Sequence, residues 1–436
     1  MNNSGVLKID TIVSILLGIY SFFLLLSSSN AGYSISLALL IVGEIVYYWK
    51  YRNFKRIGNI SKTILLILGI FFLTLLISAY YHGGPNIHDT WKYIYWALPC
   101  IPLFFGYIKD KSELAFFTGS SLALIALSIK GWIQIKSIFM GNMIGNGRIT
   151  STFVNPNDFG QIVEFALPIA ILACRWSFYK WKSEKKICYK YSLIFQILTI
   201  VISVIPFLGA QSRGATLGFC IGGCIVGLFY GIKYWKIFNY RTLIVLLSII
   251  CLGFGLYGAN IVAKHDVGGQ KLSQSVNIDN NLSKTIERMT GLPSRSYDGE
   301  RILLWKSSYN MWQDYPMLGV GWSNWQYMYQ NHYIFDEAKE RDLPMPHNNI
   351  AYFFSTTGVV GGIGYLIFTI GLFAYIIKEF NKNPESCLLP SFLWAFVSTT
   401  IHGQVDSGIV NKYAMHILFG FLGIVVASLS KVKNID

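Results

Sequence analysis

Four basic side chains stand in short polar motifs of an otherwise apolar chain. Arg148 precedes the run Thr150-Ser151-Thr152-Phe153-Val154-Asn155-Pro156-Asn157-Asp158, after which Asn157, Gln161 and Glu164 fall on one helical face at i, i+4 and i+7. Arg213 lies in Gln211-Ser212-Arg213-Gly214, with Leu217 four residues on. Arg301 opens a stretch in which Ile302, Trp305, Tyr309 and Trp312 recur at helical spacing. His347-Asn348 stands ahead of Gly358, Gly361 and Gly362. Arginines gathered at a membrane surface hold a phosphate or diphosphate through charge-assisted, often bidentate, hydrogen bonds. A histidine beside them can take the proton of an attacking hydroxyl. Glycines in a re-entering helix let another helix, or a lipid tail, come close. Together these parts suit transfer from a diphosphate-linked lipid.

The elements that must carry them are set by composition. Of 436 residues, 53% are hydrophobic and only 13% charged, against about a quarter charged in a soluble domain. That excludes a disordered chain, a soluble enzyme and a secreted disulfide-stapled domain, and leaves a polytopic membrane protein. The seven cysteines include no CxxC pair, and neither they nor the histidines show metal-site spacing, so no metal or cofactor is expected. Runs long enough to span, about 20 mainly apolar residues each, are read at 11–28, 33–49, 63–80, 91–108, 114–135, 158–174, 190–208, 214–232, 242–260, 348–377, 388–402 and 412–430.

The net charge of +14 sorts by loop. Lys50, Arg52, Lys55 and Arg56 follow the second span, Lys109 and Lys111 the fourth, and Arg175, Lys180, Lys182, Lys185 and Lys186 the sixth. Lys233, Lys236 and Arg241 follow the eighth, Lys378 and Lys382 the tenth, and Lys431 and Lys433 the twelfth. Of the short loops after odd-numbered spans, 29–32, 81–90 and 403–411 carry none and 136–157 only Lys136 and Arg148. The positive-inside rule then puts both termini in the cytoplasm. The charge is a topological signal, with no nucleic-acid partner implied. The expected fold is an all-α polytopic membrane protein of about twelve helices with one large extracytoplasmic loop. Residues 1–260 hold nine spans, 261–346 the loop, and 347–436 the last three. The loop has nine basic and ten acidic residues, and an amphipathic helix near 299–313 is read as lying on the membrane.

Four segments, in order, resemble the O-antigen ligase and polymerase superfamily of bacterial envelope glycosyltransferases. They are Thr152-Phe153-Val154-Asn155-Pro156-Asn157; Ser212-Arg213-Gly214-Ala215-Thr216-Leu217; Arg301-Ile302-Leu303-Leu304-Trp305 with Pro316-Met317-Leu318-Gly319-Val320-Gly321; and His347-Asn348 with nine residues before Gly358. The number of spans and the position of the large loop agree with the resemblance. It implies a metal-independent, inverting enzyme of the inner membrane that moves a glycan en bloc from undecaprenyl diphosphate to an acceptor hydroxyl on the periplasmic face. It further implies that Arg213 and Arg301 bind the diphosphate and that His347 is the general base. Arg148, Asn157, Asn348 and Glu164 are the further substrate contacts expected.

The acceptor is read as lipid A-core, which makes a ligase; a second lipid-linked repeat unit would make a polymerase, and the shared motifs do not separate the two. A transporter of the same lipid would also use interior arginines, but no repeated halves are evident. Other residues have plainer readings. Glu164 also suits a bond to a neighbouring helix, and Arg301 a surface pair with Glu300. Asp406 and His402 read as solvated on an outer loop, and Cys220 and Cys224 as packing residues.

Overall fold

A computed structural model describes residues 9–26, 30–51, 61–97, 109–140, 148–233, 295–406 and 408–429. The described residues are helical, without strands. In chain order the helices are α1 (Ile9–Leu26), α2 (Asn30–Tyr51), α3 (Lys62–His82), α4 (Gly84–Ala97), α5 (Lys109–Phe139), α6 (Pro156–Glu184) and α7 (Ile187–Gly209). There follow α8 (Arg213–Lys233), α9 (Arg295–Asp314), the short α10 (Trp325–Met328), α11 (Asn349–Lys382), α12 (Leu388–His402) and α13 (Lys412–Leu429). Among the described residues nine helices are long and apolar enough to cross a membrane, and α12 is a shorter apolar helix. The span read at 242–260, the polar stretch before 295 and the second half of the span at 91–108 lie outside the described residues.

The centre of the bundle is α6 and α13, each 72% buried over its span, against 22% for α8. Apolar side chains gain little by leaving lipid for a protein interior, so close backbone approach and interhelical hydrogen bonds hold such a bundle together. Both are present. Gly214, Gly218 and Gly222 line one face of α8 and leave no room for a Cβ against His402, Ser398 and Trp394 of α12. Gly119 of α5 meets the backbone of α1 at Gly18 in the same way. Ser128–Ser203 (2.8 Å) joins α5 to α7, and Ser177–Ser192 (2.8 Å) joins α6 to α7. Cys220 and Cys224 are exposed on α8, so they are not the packing residues their shared face suggested.

Helix α11 is broken at Gly358, whose φ of 64° and ψ of −163° belong to glycine alone. A break inside a bundle frees backbone groups that need partners, and the turn after α9 supplies them. Val320 N donates to Ser355 O (2.9 Å) and Gly321 N to Thr356 O (2.9 Å), while Val359 N donates to Pro316 O (2.8 Å). Gly319, at φ 70°, is pressed against the Thr356 backbone, and Gly358 against that of Met317. From α3, Ser78 Oγ donates to Leu318 O (2.8 Å), fixing the turn from the other side. Gly361 and Gly362 do not admit a neighbouring helix as expected. Their space is taken by Thr357 and Phe354 of the same helix, whereas Gly364 is the glycine that meets α3, at Thr74.

Residues 299–313 lie in α9, and the side that packs on protein is distinct from much of the stripe read as lying on the membrane. Leu304, Ser307, Ser308 and Met311 are buried, whereas Ile302 and Tyr309 are exposed. The buried face packs on α11 and on the segment that follows, through Trp305 Nε1 to Pro346 O (3.1 Å) and Ser307 Oγ to Tyr333 O (2.7 Å). That docking fixes the backbone immediately before His347.

Candidate active site

The residues singled out from sequence converge at one end of the bundle. His347 has φ 53°, a left-handed backbone that turns its ring away from the incoming chain. Asn348 then caps α11, its side chain accepting from Ala351 N (2.8 Å) and donating to Gln404 O (2.9 Å). Asn349 N donates to Gly403 O (2.6 Å), so the start of α11 is sewn to the loop after α12. Across that seam His347 Nδ1 lies 3.1 Å from Asp406 Oδ1.

Asp406 is the hub. Its other oxygen accepts from Asn157 Nδ2 (2.5 Å), and Asn157 Oδ1 accepts from Arg148 Nη2 (2.6 Å). Arg148 Nε donates to Ala210 O (3.0 Å), tying the chain His347–Asp406–Asn157–Arg148 to the turn before α8. Local sequence makes each station. Asn155 caps α6 with Pro156 at the first helical position. Gln134 of α5 grips Thr150 and Ser151 from both ends of its amide. Asp406 is 5% exposed, and His402 only 2%. Both were expected to be solvated. The 403–411 loop instead folds inward over the ends of α6 and α11, because Asn348, Asn349 and Gln161 bind its carbonyls.

Burial alone would raise the Asp406 pKa. The hydrogen bond from His347 and the charges of His402, His347 and Arg301 outweigh it, and hold the carboxyl below its usual range. With Asp406 ionised, Nδ1–H of His347 is the donor, on a side chain 26% exposed. A depressed carboxyl stabilises the fold fully above its unfolded pKa, near 4, and loses that effect as pH falls through the folded value. The difference in melting temperature between wild type and Asp406→Asn is therefore expected to hold from pH 8 to about pH 5 and to shrink below about pH 4. A difference that disappears at neutral pH would contradict an ionised Asp406.

Arg301, on the first turns of α9, is near enough for its charge to act on Asp406. Its neighbour Glu300 accepts from Lys339 N (2.8 Å) and Glu340 N (2.9 Å), a role the surface-pair reading did not include. Arg213 is the exposed first residue of α8, and the next residue, Gly214, rests on His402 and Val405. The N-terminal end of a helix adds its own pull on anions to that of the guanidinium. The shared face of α6 is real: Asn157 reaches Asp406, Gln161 reaches Gly408 O (3.0 Å) and Glu164 reaches His402 (3.2 Å). Glu164 is fully buried, so it supports the site from beneath and does not reach the opening where substrate contacts were expected.

Fold and site together define a class, an all-α multi-pass membrane protein with a histidine–carboxylate pair flanked by arginines. The family model described as O-antigen ligase matches residues 198–366, from α7 into α11. Over that segment the chain is similar to the O-antigen ligase family, and the segment contains Arg213, Arg301, His347 and Asn348. Arg148, Asn157, Glu164, His402 and Asp406 lie outside it. Comparison with curated proteins gave no match.

Proposed function

We propose that the protein transfers a glycan en bloc from undecaprenyl diphosphate to an acceptor hydroxyl at the outer face of the inner membrane. The observation that carries this reading is the His347–Asp406 pair (3.1 Å) bordered by Arg213 and Arg301. His347 Nε2 takes the proton of the acceptor hydroxyl. The freed oxygen attacks the anomeric carbon opposite the diphosphate, whose C–O bond breaks, so the anomeric centre inverts. Arg213 and Arg301 bind the leaving diphosphate and neutralise the charge that develops on it. No metal is needed for these steps. Arg148 and Asn157 hold Asp406 in place, and Asn348 holds the His347 loop. The loop charges put both termini in the cytoplasm, which sets this end of the bundle on the opposite side. Lipid A-core is the proposed acceptor.

The test uses purified protein in lipid nanodiscs with an undecaprenyl-diphosphate glycan and either lipid A-core or a second lipid-linked glycan as acceptor. Expected are glycosylated acceptor and free undecaprenyl diphosphate, with turnover lowered on the order of 10²-fold in Arg213→Ala. Product formed only with the second lipid-linked glycan makes the protein a polymerase. Undiminished transfer in both Arg213→Ala and Arg301→Ala would sink the site assignment.

A further inference from the structure

A second histidine is buried directly behind the site, and the transfer steps above do not use it. We propose that His402 is a positioning residue: an imidazolium anchored on Glu164 whose charge keeps Asp406 ionised and aimed at His347. The proposal rests on the reading of His347 as the base, and goes beyond it to the group that sets the base's working range.

The geometry is that of a clamp. His402 Nδ1 is 3.2 Å from Glu164 Oε1, while Nε2 is 3.5 Å from Ser212 Oγ and 4.0 Å from Asp406 Oδ2. One imidazole thus stands between two carboxylates, with side chains 0% and 6% exposed. At 4.0 Å Nε2 makes no hydrogen bond to Asp406, so the ring acts on that carboxylate through its charge, which attracts both carboxylates at once. Two buried carboxylates without a cation between them are far costlier than the same pair with one. Glu164 also meets the Thr399 hydroxyl, and His402 is its charged partner.

The carboxylates around the ring favour its cation, and the cations farther out oppose it. From α6 come Glu164 and Asp158, the latter held by Asn411 (2.7 Å), and from the 403–411 loop comes Asp406. Arg213 follows Ser212 at the start of α8, and His347 and Arg301 act on the far side of Asp406. The ring cannot swing out to meet substrate, because Gly214 packs against it and Gly160 packs against Ser212 beneath. It meets the site at Asp406, whose N–H also donates to His402 O (2.9 Å).

The test needs neither donor nor acceptor. The full chain in nanodiscs is treated with diethyl pyrocarbonate from pH 5 to pH 9, and labelling of the His347 peptide is read by mass spectrometry. Only the neutral ring reacts, so the midpoint reports protonation of His347. Removing the cation leaves His347 alone to neutralise Asp406, which favours its protonated form. In His402→Gln the midpoint is expected to rise by about one unit, with severalfold less labelling near neutrality. Glu164→Gln, a same-shape change, is expected to move it the same way. The double variant should match His402→Gln alone, because Glu164 acts only through His402. The acid limb of the transfer rate should move with the labelling midpoint.

An unmoved midpoint in His402→Gln that retains its melting temperature overturns the proposal. So does a further shift when Glu164→Gln is added to His402→Gln. A midpoint that moves while transfer stays at the wild-type rate at every pH supports the His402 coupling and counts instead against His347 as the base.

Discussion

His347→Ala is expected to slow glycan transfer by about 10²–10⁴-fold, the range a positioned general base supplies, and Asp406→Asn by nearly as much. The second variant is the more telling. The Asp406 carboxylate accepts from two sides at once, from His347 Nδ1 (3.1 Å) and from Asn157 Nδ2 (2.5 Å). An amide of the same shape offers one acceptor and one donor. If its oxygen keeps His347, its NH₂ faces the NH₂ of Asn157, and the link to Arg148 is lost. If its oxygen keeps Asn157, its NH₂ donates to Nδ1, and the proton moves to Nε2, the nitrogen that has to be free. Both outcomes disable the base without touching Arg213 or Arg301. The KM for the lipid-linked donor is therefore expected to stay within a few-fold of wild type while kcat collapses. Steady-state transfer at varied donor concentration checks this. A rise in KM at unchanged kcat would place Asp406 in donor binding instead.

The largest structural effect is expected at Gly358. Its backbone conformation is open essentially to glycine alone, and an added Cβ would strike the backbone of Met317. Gly358→Val thus combines strain of about 1–3 kcal/mol with expulsion of the 316–321 turn, which supplies hydrogen bonds across the break. The expected result is a sharply lower melting temperature in detergent, poor recovery of folded protein and loss of transfer. Gly227→Ala on α8 is the matched control, since a Cβ there meets nothing within 4 Å among the described residues. Gly358→Val melting like Gly227→Ala would contradict the docking of turn and break.

The sequence made some of this legible and hid the rest for identifiable reasons. Spans are legible because a bilayer demands long apolar runs, so α1, α3 and α7 lie where hydropathy puts them. The shared face of Asn157, Gln161 and Glu164 was readable from helical period alone. Asp406 and His402 were not, because a short polar loop after an apolar helix has the composition of a solvated turn. Its inward fold depends on residues far away in sequence, such as Asn348 at a separation of 56. One signal was available: His402 and Asp406 are four apart at the end of an apolar helix, the spacing that stacks two side chains. The pairing of Gly319 with Gly358 was hidden for a similar reason. Each glycine announces a turn or a close approach, but only the tertiary fold shows that each makes room for the other. The protein-facing side of α9 was not legible because it uses serines, Ser307 and Ser308, beside Leu304 and Met311.

The pairing of Glu164 with His402 also has a history in time. The two are 238 residues apart along the chain. At about 5–20 residues per second of synthesis, Glu164 is made roughly 10–50 s before its partner. Throughout that interval α6 has to reside in or beside the bilayer with an unpaired carboxyl, which protonation makes tolerable. Arrival of α12 then supplies the histidine that partners this carboxyl. A helix made late in synthesis thus completes the surroundings of a helix inserted long before.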